Sequence, residues 1–373
     1  MTATGSISLR DRALAPDLAR GLMLALIALA NSVLYLYGRP YGVRQHIVEN
    51  GLPDRIVSVL TVTLVDARAY PLFAALYAYG VFQILQRHHD KSVIKRRSLW
   101  LIVFGFLHAV LLFPGDILGL YGLVGFLLLA VTRAGDRRLL VLAGAWLVVV
   151  AVLQGAAYSM PSTGERTFFW SFETAEPIAA LILRPVEWLI TPFGVAGVGS
   201  AVLVGTWAAR RGILTDPAAH RTLLVRTAVI GLAVAVAGGL PIGLAVGHFW
   251  HTDALWALNS LHAVTGVAGG LGYAALIGLI AIRSRRGRIV RALATAGQRS
   301  LSLYLFQSVG FVLVLTPLPY SLGLGDTLGA AGVAAFALLT WLVSVLLAPL
   351  TRRGPAEVLL RRLTYRSTSD VRG

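Results

Sequence analysis

Apolar stretches of about 18 residues or more recur along the whole chain, separated by short polar segments that hold most of the charge. They do not alternate apolar and polar positions as barrel strands do. Lipid offers an open backbone no partner, so each stretch is expected to be a helix that pairs its N–H and C=O groups internally. The pattern predicts helices at 18–38, 56–86, 97–113, 116–132, 138–158, 178–209, 222–247, 254–282, 297–318 and 327–350. The expected class is therefore all-α, a polytopic transmembrane bundle of about ten helices. Residues 1–17 read as a cytoplasmic N-terminal segment, 18–350 as the transmembrane helical domain and 351–373 as a basic cytoplasmic tail. Pro185 and Pro192 interrupt the sixth stretch, so two pieces are expected there, and broken helices often line cavities. Ala28-Leu29-Ala30 resembles a signal-peptide cleavage site. The apolar run continues past it through Leu36, which favours an uncleaved first helix.

Charge tests this layout. With both termini in the cytoplasm, 27 of the 33 basic residues fall on one side, as the positive-inside rule requires. The net charge of +16 is thus a topology signal with attraction to anionic lipid added, not a sign of nucleic acid. The six exceptions are Arg39, Arg44 and Arg55 in the first outer loop, Arg166 in an acidic outer loop, and Arg68 and Arg184 inside helices. Composition agrees with a lipid-embedded chain. Of the residues 57% are hydrophobic and 13% charged, with mean hydropathy +0.74, where a soluble domain carries about 25% charged residues. There is no cysteine, which excludes disulfides, thiolate catalysis and cysteine-ligated metal.

Ionisable groups within such helices are costly and each needs a reason. Arg96 to Arg133 forms two helices joined by a tight hairpin at Pro114-Gly115-Asp116. His108 lies about two turns below the tip. A carboxylate beside an imidazole can orient it and hold its charged form, so His108 and Asp116 are the candidate proton-transfer pair. Tyr121, a little over one turn into the next helix, is placed to line the same cavity. The alternative is that His108 is a satisfied core residue. Asp17 and Arg20, spaced i and i+3, read either as a local anchor or as part of a cytoplasmic donor pocket. Asp66 and Arg68 cannot face each other on one helix and need partners elsewhere. Arg39 and Arg44 read as loop salt bridges with Glu49 and Asp54 or as an outward cup for an anionic group. Ser300, Ser302, Tyr304, Gln307 and Ser308 form one polar side that must pack inward. His248, His251 and Asp253 read as part of an interface belt with Trp250 and Trp256 rather than a metal site, and no metal is expected.

Four stretches carry a resemblance. RALAPDLARGLMLALIALAN, RRSLWLIVFGFLHAVLLFPGDILGLYGLVGFLLL, GQRSLSLYLFQS and RRGPAEVLLRRLTY are similar to the motifs of the YeiB-like family of bacterial inner-membrane proteins. Pro16, Ser302-Leu303-Tyr304, Ala356 and Val358 depart from that pattern. More distantly the layout resembles the transmembrane acyltransferases that include heparan-α-glucosaminide N-acetyltransferase. Those enzymes share an N-terminal Asp-x-x-Arg-Gly and a basic helix ending in a Pro-Gly turn. The resemblance implies transfer of an acyl group from cytoplasmic acyl-CoA, the donor co-substrate, to a hydroxyl or amine acceptor, a small molecule or glycan. It carries His108 and Asp116 over as catalytic residues. Arg39, Arg44, Arg68, Tyr121 and Gln307 then become candidate acceptor contacts. Asp17, Arg20, Arg96 and Arg97 become candidate contacts of the acyl-CoA. The rival expectation is a transporter or exporter using Asp66, Arg68 and Asp116.

Overall fold

Helix dominates because the apolar runs have no other way to close their backbone hydrogen bonds in lipid. The computed structural model describes residues 14–88, 90–159, 164–284, 287–350 and 354–365. Arg10, Arg12, Arg285, Arg286, Arg352, Arg353, Arg366 and Arg372 lie outside the described residues, as does most of the 1–17 segment. Among the described residues the helices are α1 (Leu14–Ser32), α2 (Leu52–Leu64), α3 (Ala69–His88), α4 (Lys91–Leu111), α5 (Ile117–Val131), α6 (Asp136–Ala157) and α7 (Pro177–Trp188). They continue with α8 (Thr191–Arg210), α9 (Arg221–Val246), α10 (Leu255–Arg283), α11 (Arg288–Gln298), α12 (Ser300–Leu315), α13 (Ala330–Leu347) and α14 (Pro355–Thr364). Extended backbone among these residues amounts to isolated bridges from Tyr41 to Ile47 and to Gly164.

Among the described residues seven spans are long and apolar enough to cross a membrane, with α2 and α3 taken together, or eight if α11 and α12 form one. This is an all-α, multi-pass membrane protein. α4 carries Lys95, Arg96 and Arg97 in its first turns, and α5 has 15 residues, which keeps both outside that set. The surface agrees. Val148 is 65% exposed, Ile182 66% and Phe193 71%, a display of large apolar side chains that suits lipid and not water. α1 runs through the interior, where Met23, Leu24 and Ile27 are sealed.

Two elements differ from the pattern-based expectation, and the break expected in a third is present. The helix expected over 56–86 is broken at Val65–Arg68, where Ala67 adopts φ +57. No glycine or proline marks the break. Polar groups hold it instead: Asp66 Oδ1 accepts from the Ala67 N–H (2.8 Å) and Arg68 Nη1 donates to the Asp66 carbonyl (2.8 Å). The stretch over 178–209 is two helices, α7 and α8, as its prolines suggested. The helix expected to begin at 297 begins at Ser300, because Gly297 and Gln298 close α11, and the two helices meet at 85°. α11 is amphipathic and lies across the end of the bundle. Its backbone approaches α1 so closely that a Cβ on Gly21 would strike the Leu293 carbonyl.

Candidate active site

The hairpin between α4 and α5 builds the site. As α4 ends, the N–H groups of Leu112 and Phe113 both turn back to the His108 carbonyl, at 2.8 and 3.0 Å. The chain then reverses and Asp116 caps α5, its Oδ2 accepting from the Gly119 N–H (2.6 Å). An aspartate at this position satisfies one orphan donor of the first turn and meets the positive end of the helix dipole. The other oxygen, Oδ1, lies 2.8 Å from His108 Nδ1. Gly105 makes the approach possible, since a Cβ there would overlap both the Gly119 nitrogen and Asp116 Oδ2.

The opposite edge of the imidazole meets α12. His108 Nε2 lies 2.9 Å from Ser308 Oγ. A carboxylate only accepts, so His108 Nδ1 must donate to Asp116, which leaves Nε2 free to accept from the serine hydroxyl. Tyr304, one turn before Ser308, packs its ring 4.9 Å from the imidazole, and Phe113 flanks it at 6.3 Å. His108, Asp116 and Ser308 are only 3%, 4% and 5% exposed. In so dry a setting a chain of hydrogen bonds is stiff and strongly oriented.

Two further predicted residues sit beside this core with unused polar atoms. Gln307 is buried next to Ser308, and neither its Oε1 nor its Nε2 has a hydrogen-bond partner among the described residues. The Tyr121 hydroxyl is likewise buried and unpartnered, while its ring stacks between Phe73 (4.7 Å) and Tyr77 (4.9 Å). Leaving such a group unmade costs about 1–3 kcal/mol, so each calls for an explanation.

The remaining candidates lie elsewhere. Arg39 and Arg44 do not form one cup. Arg39 is tied to Glu49 (3.3 Å) and to the Leu328 carbonyl (2.5 Å). Glu49 in turn caps α13 through the Ala330 N–H (2.8 Å). Arg44 folds inward to Asp66, with Nη2–Oδ2 at 2.8 Å, and to Asn259 Oδ1 at 2.6 Å, with its guanidinium 4.3 Å over the Tyr158 ring. Arg68, fully buried, joins the same cluster through His262 Nδ1 (2.7 Å) and the Ala235 carbonyl (2.5 Å). His262 Nε2 approaches Asp66 Oδ2 at 3.5 Å. Sequence reasoning missed this network, because Arg44, Asp66, Asn259 and His262 come from three separate parts of the chain. At the basic end, Asp17 pairs with Arg20 (3.3 Å) and accepts from Gln298 Nε2 (2.9 Å), which ties α1 to the elbow before α12. Arg96 and Arg97 stand half-buried on the first turns of α4, each with a sealed, unpartnered Nε.

A crevice of about 280 Å³ between α6, α8, α9 and α10 is lined almost wholly by aliphatic side chains such as Leu140, Leu147, Val204 and Val264. Its lining holds no titratable side chain.

Two bacterial proteins resemble the chain over most of its length. The chain is 28% identical to the uncharacterized protein YeiB of Escherichia coli strain K12 over 333 residues, covering 80% of this chain and 82% of the relative. The similarity to YeiB thus runs over most of both chains. It is also 24% identical to the uncharacterized protein YxaH of Bacillus subtilis strain 168 over 345 residues, covering 82% of this chain and 81% of that one. Residues 208–367 match the family described as "Protein of unknown function (DUF418)". That match takes in Gln307 and Ser308. The α4–α5 hairpin with His108 and Asp116 precedes it.

Proposed function

We propose that this chain is an integral membrane acyltransferase of the bacterial inner membrane. It moves an acyl group from cytoplasmic acyl-CoA to a hydroxyl or amine acceptor. The observation that carries the reading is the 2.8 Å contact of Asp116 Oδ1 with His108 Nδ1, which points a basic Nε2 at a hydroxyl 2.9 Å away. In this reading Asp116 fixes the tautomer and His108 accepts the proton of the attacking acceptor. The acceptor's oxygen or nitrogen bonds to the thioester carbonyl carbon, the C–S bond breaks, and the proton passes from His108 to the departing sulfur.

The basic end of the bundle is the cytoplasmic face in this reading, with both termini on that side. Arg96 and Arg97, with Arg20 held by Asp17, supply positive charge for the phosphates of the donor. Arg97 and His108 share α4 and stand eleven residues apart, about 16 Å along the axis. An extended pantetheine arm matches that reach. The unpartnered Tyr121 hydroxyl and Gln307 amide supply hydrogen bonds along the way. The resemblance to transmembrane acyltransferases points to the same hairpin.

The test is acyl transfer from labelled acyl-CoA by the purified protein in nanodiscs, screened over hydroxyl and amine acceptors. His108→Ala is expected to lower the rate on the order of 10²–10⁴-fold; full activity in that variant would refute the role. A second reading is favoured by the buried Arg44, Asp66, Arg68 and His262 cluster at a broken span, an arrangement suited to binding a transported ion or solute. It predicts uptake into proteoliposomes without acyl-CoA and without His108.

A further inference from the structure

We propose that Ser308 is a nucleophile, and that the acyl group rests on its Oγ as an ester before it reaches the acceptor. This deepens the acyltransferase reading and rests on it. That reading needs His108 only as a base, and a direct transfer from donor to acceptor would serve it equally well. The structure adds a third member. Carboxylate, imidazole and hydroxyl stand in line, with Asp116 Oδ1 on Nδ1 at 2.8 Å and Ser308 Oγ on Nε2 at 2.9 Å. This is the relation that activates a serine on unrelated folds, recognised by geometry and not by order in the chain.

A helical serine in lipid can also be satisfied by its own backbone. Ser308 does lie 3.2 Å from the Tyr304 carbonyl. The hydroxyl has one proton to give, and the shorter contact is to the imidazole. The back-bond does not account for the histidine, whose Nε2 has this one polar neighbour on α12. Neither does it account for Gln307 beside Ser308, whose buried amide has two N–H donors and an oxygen without partners among the described residues.

The step balances without any further reagent. The Ser308 Oγ–H proton passes to His108 Nε2 while Oγ bonds to the thioester carbonyl carbon. The C–S bond breaks, and the sulfur leaves as the thiol with the proton from Nε2. In the second half the acceptor O–H or N–H gives its proton to Nε2 and attacks the ester carbonyl. The C–Oγ bond breaks and the proton returns to Ser308.

The absence of cysteine from the chain makes a clean test. The full-length protein in nanodiscs is mixed with labelled acetyl-CoA and no acceptor, quenched in denaturant and mapped by mass spectrometry. The expected result is one acetyl group on the peptide carrying Ser308, with none in Ser308→Ala or His108→Ala. Ser308→Ala is also expected to lower acyl transfer by on the order of 10³-fold. Ser308→Cys supplies the one thiol in the molecule and nearly keeps the side-chain volume. Its alkylation by iodoacetamide at pH 7 is expected to be about ten-fold or more faster than in Ser308→Cys combined with His108→Ala, because only an adjacent imidazole draws off the thiol proton. Equal alkylation in the two backgrounds would overturn the proposal. So would acyl transfer at an unchanged rate in Ser308→Ala, which would leave the acyltransferase reading standing with direct transfer. Histidine-dependent alkylation in a protein that transfers no acyl group would do the reverse, keeping the activated position and removing the acyltransferase.

Discussion

Replacing Asp116 by asparagine separates the chemistry of the site from its folding. Asp116 does two jobs with two oxygens: Oδ2 takes the Gly119 N–H at 2.6 Å and Oδ1 faces His108 Nδ1 at 2.8 Å. In Asp116→Asn the amide oxygen must stay with Gly119, because a buried N–H left without an acceptor costs about 1–3 kcal/mol. The NH₂ then faces His108 and forces Nδ1 to become the acceptor. The proton moves to Nε2, which points at Ser308 and can no longer receive one. Wrong-tautomer substitutions of this kind lower turnover by about 10⁴-fold in serine hydrolases with the geometry intact. Stability moves little, since asparagine caps a helix about as well as aspartate. Asp116→Ala is the contrast. It loses the cap, worth about 1 kcal/mol, and strands a buried imidazole N–H for a further 1–3 kcal/mol or so. The assays are transfer from labelled acyl-CoA and thermal unfolding in detergent. Activity of Asp116→Asn within ten-fold of the parent would refute the tautomer argument, as would unfolding as early as Asp116→Ala.

Other consequences are equally open to measurement. Gly105→Ala drives a Cβ into the Gly119 nitrogen and Asp116; overpacking of this kind costs about 1–3 kcal/mol, so both the melting temperature and transfer activity should fall. Arg44→Met leaves Asp66 Oδ2 without the two guanidinium N–H groups that converge on it. Breaking such a pair costs roughly 3–5 kcal/mol when fully buried, and the partly exposed Asp66 places the loss at the lower end, with Arg44→Lys in between on the same melting assay. His46, in the loop before α2, is pushed down by burial from the usual 6.5 to about 4, against the pull of Asp66 and with the push of Arg44. The unfolded chain therefore takes up a proton near pH 6.5 that the folded loop refuses until about pH 4, so stability present above pH 6.5 should drain away across that window. Hydrogen exchange of residues 41–48 against pH reads it, and His46→Gln should flatten the profile.

The parts legible in the sequence are those that depend on near neighbours. Hydropathy locates the spans because lipid imposes a minimum length of apolar helix. His108 and Asp116 can be paired on paper because eight residues and one tight turn separate them. Ser308 cannot, because it is 200 residues from His108 and a serine near polar helix neighbours usually bonds its own backbone. The break at Val65–Arg68 carries no glycine or proline, and only the partners of Asp66 and Arg68 explain it. Arg44 reads as an outer-loop cation until the loop folds inward and delivers it to Asp66 and Asn259. α11 escapes a hydropathy search because one face carries Arg288 and Arg291. The residues it buries, Ala294, Ala296 and Gly297, are small and give a weak apolar signal.

The wide separation of Ser308 from the hairpin gives the site a built-in order of assembly. During insertion of the nascent chain, the α4–α5 hairpin forms early and brings His108 and Asp116 together by a local contact. The third member enters the membrane only with α12, after α6 to α10 have been placed. Glu357 of α14 then fastens the start of α12 through the Leu301 N–H (2.7 Å) and the Ser302 N–H (3.1 Å). Non-local contacts of this kind are the last to form. A chain stalled or cut before residue 300 holds the His108–Asp116 pair without its Ser308 contact and without the Glu357 fastening.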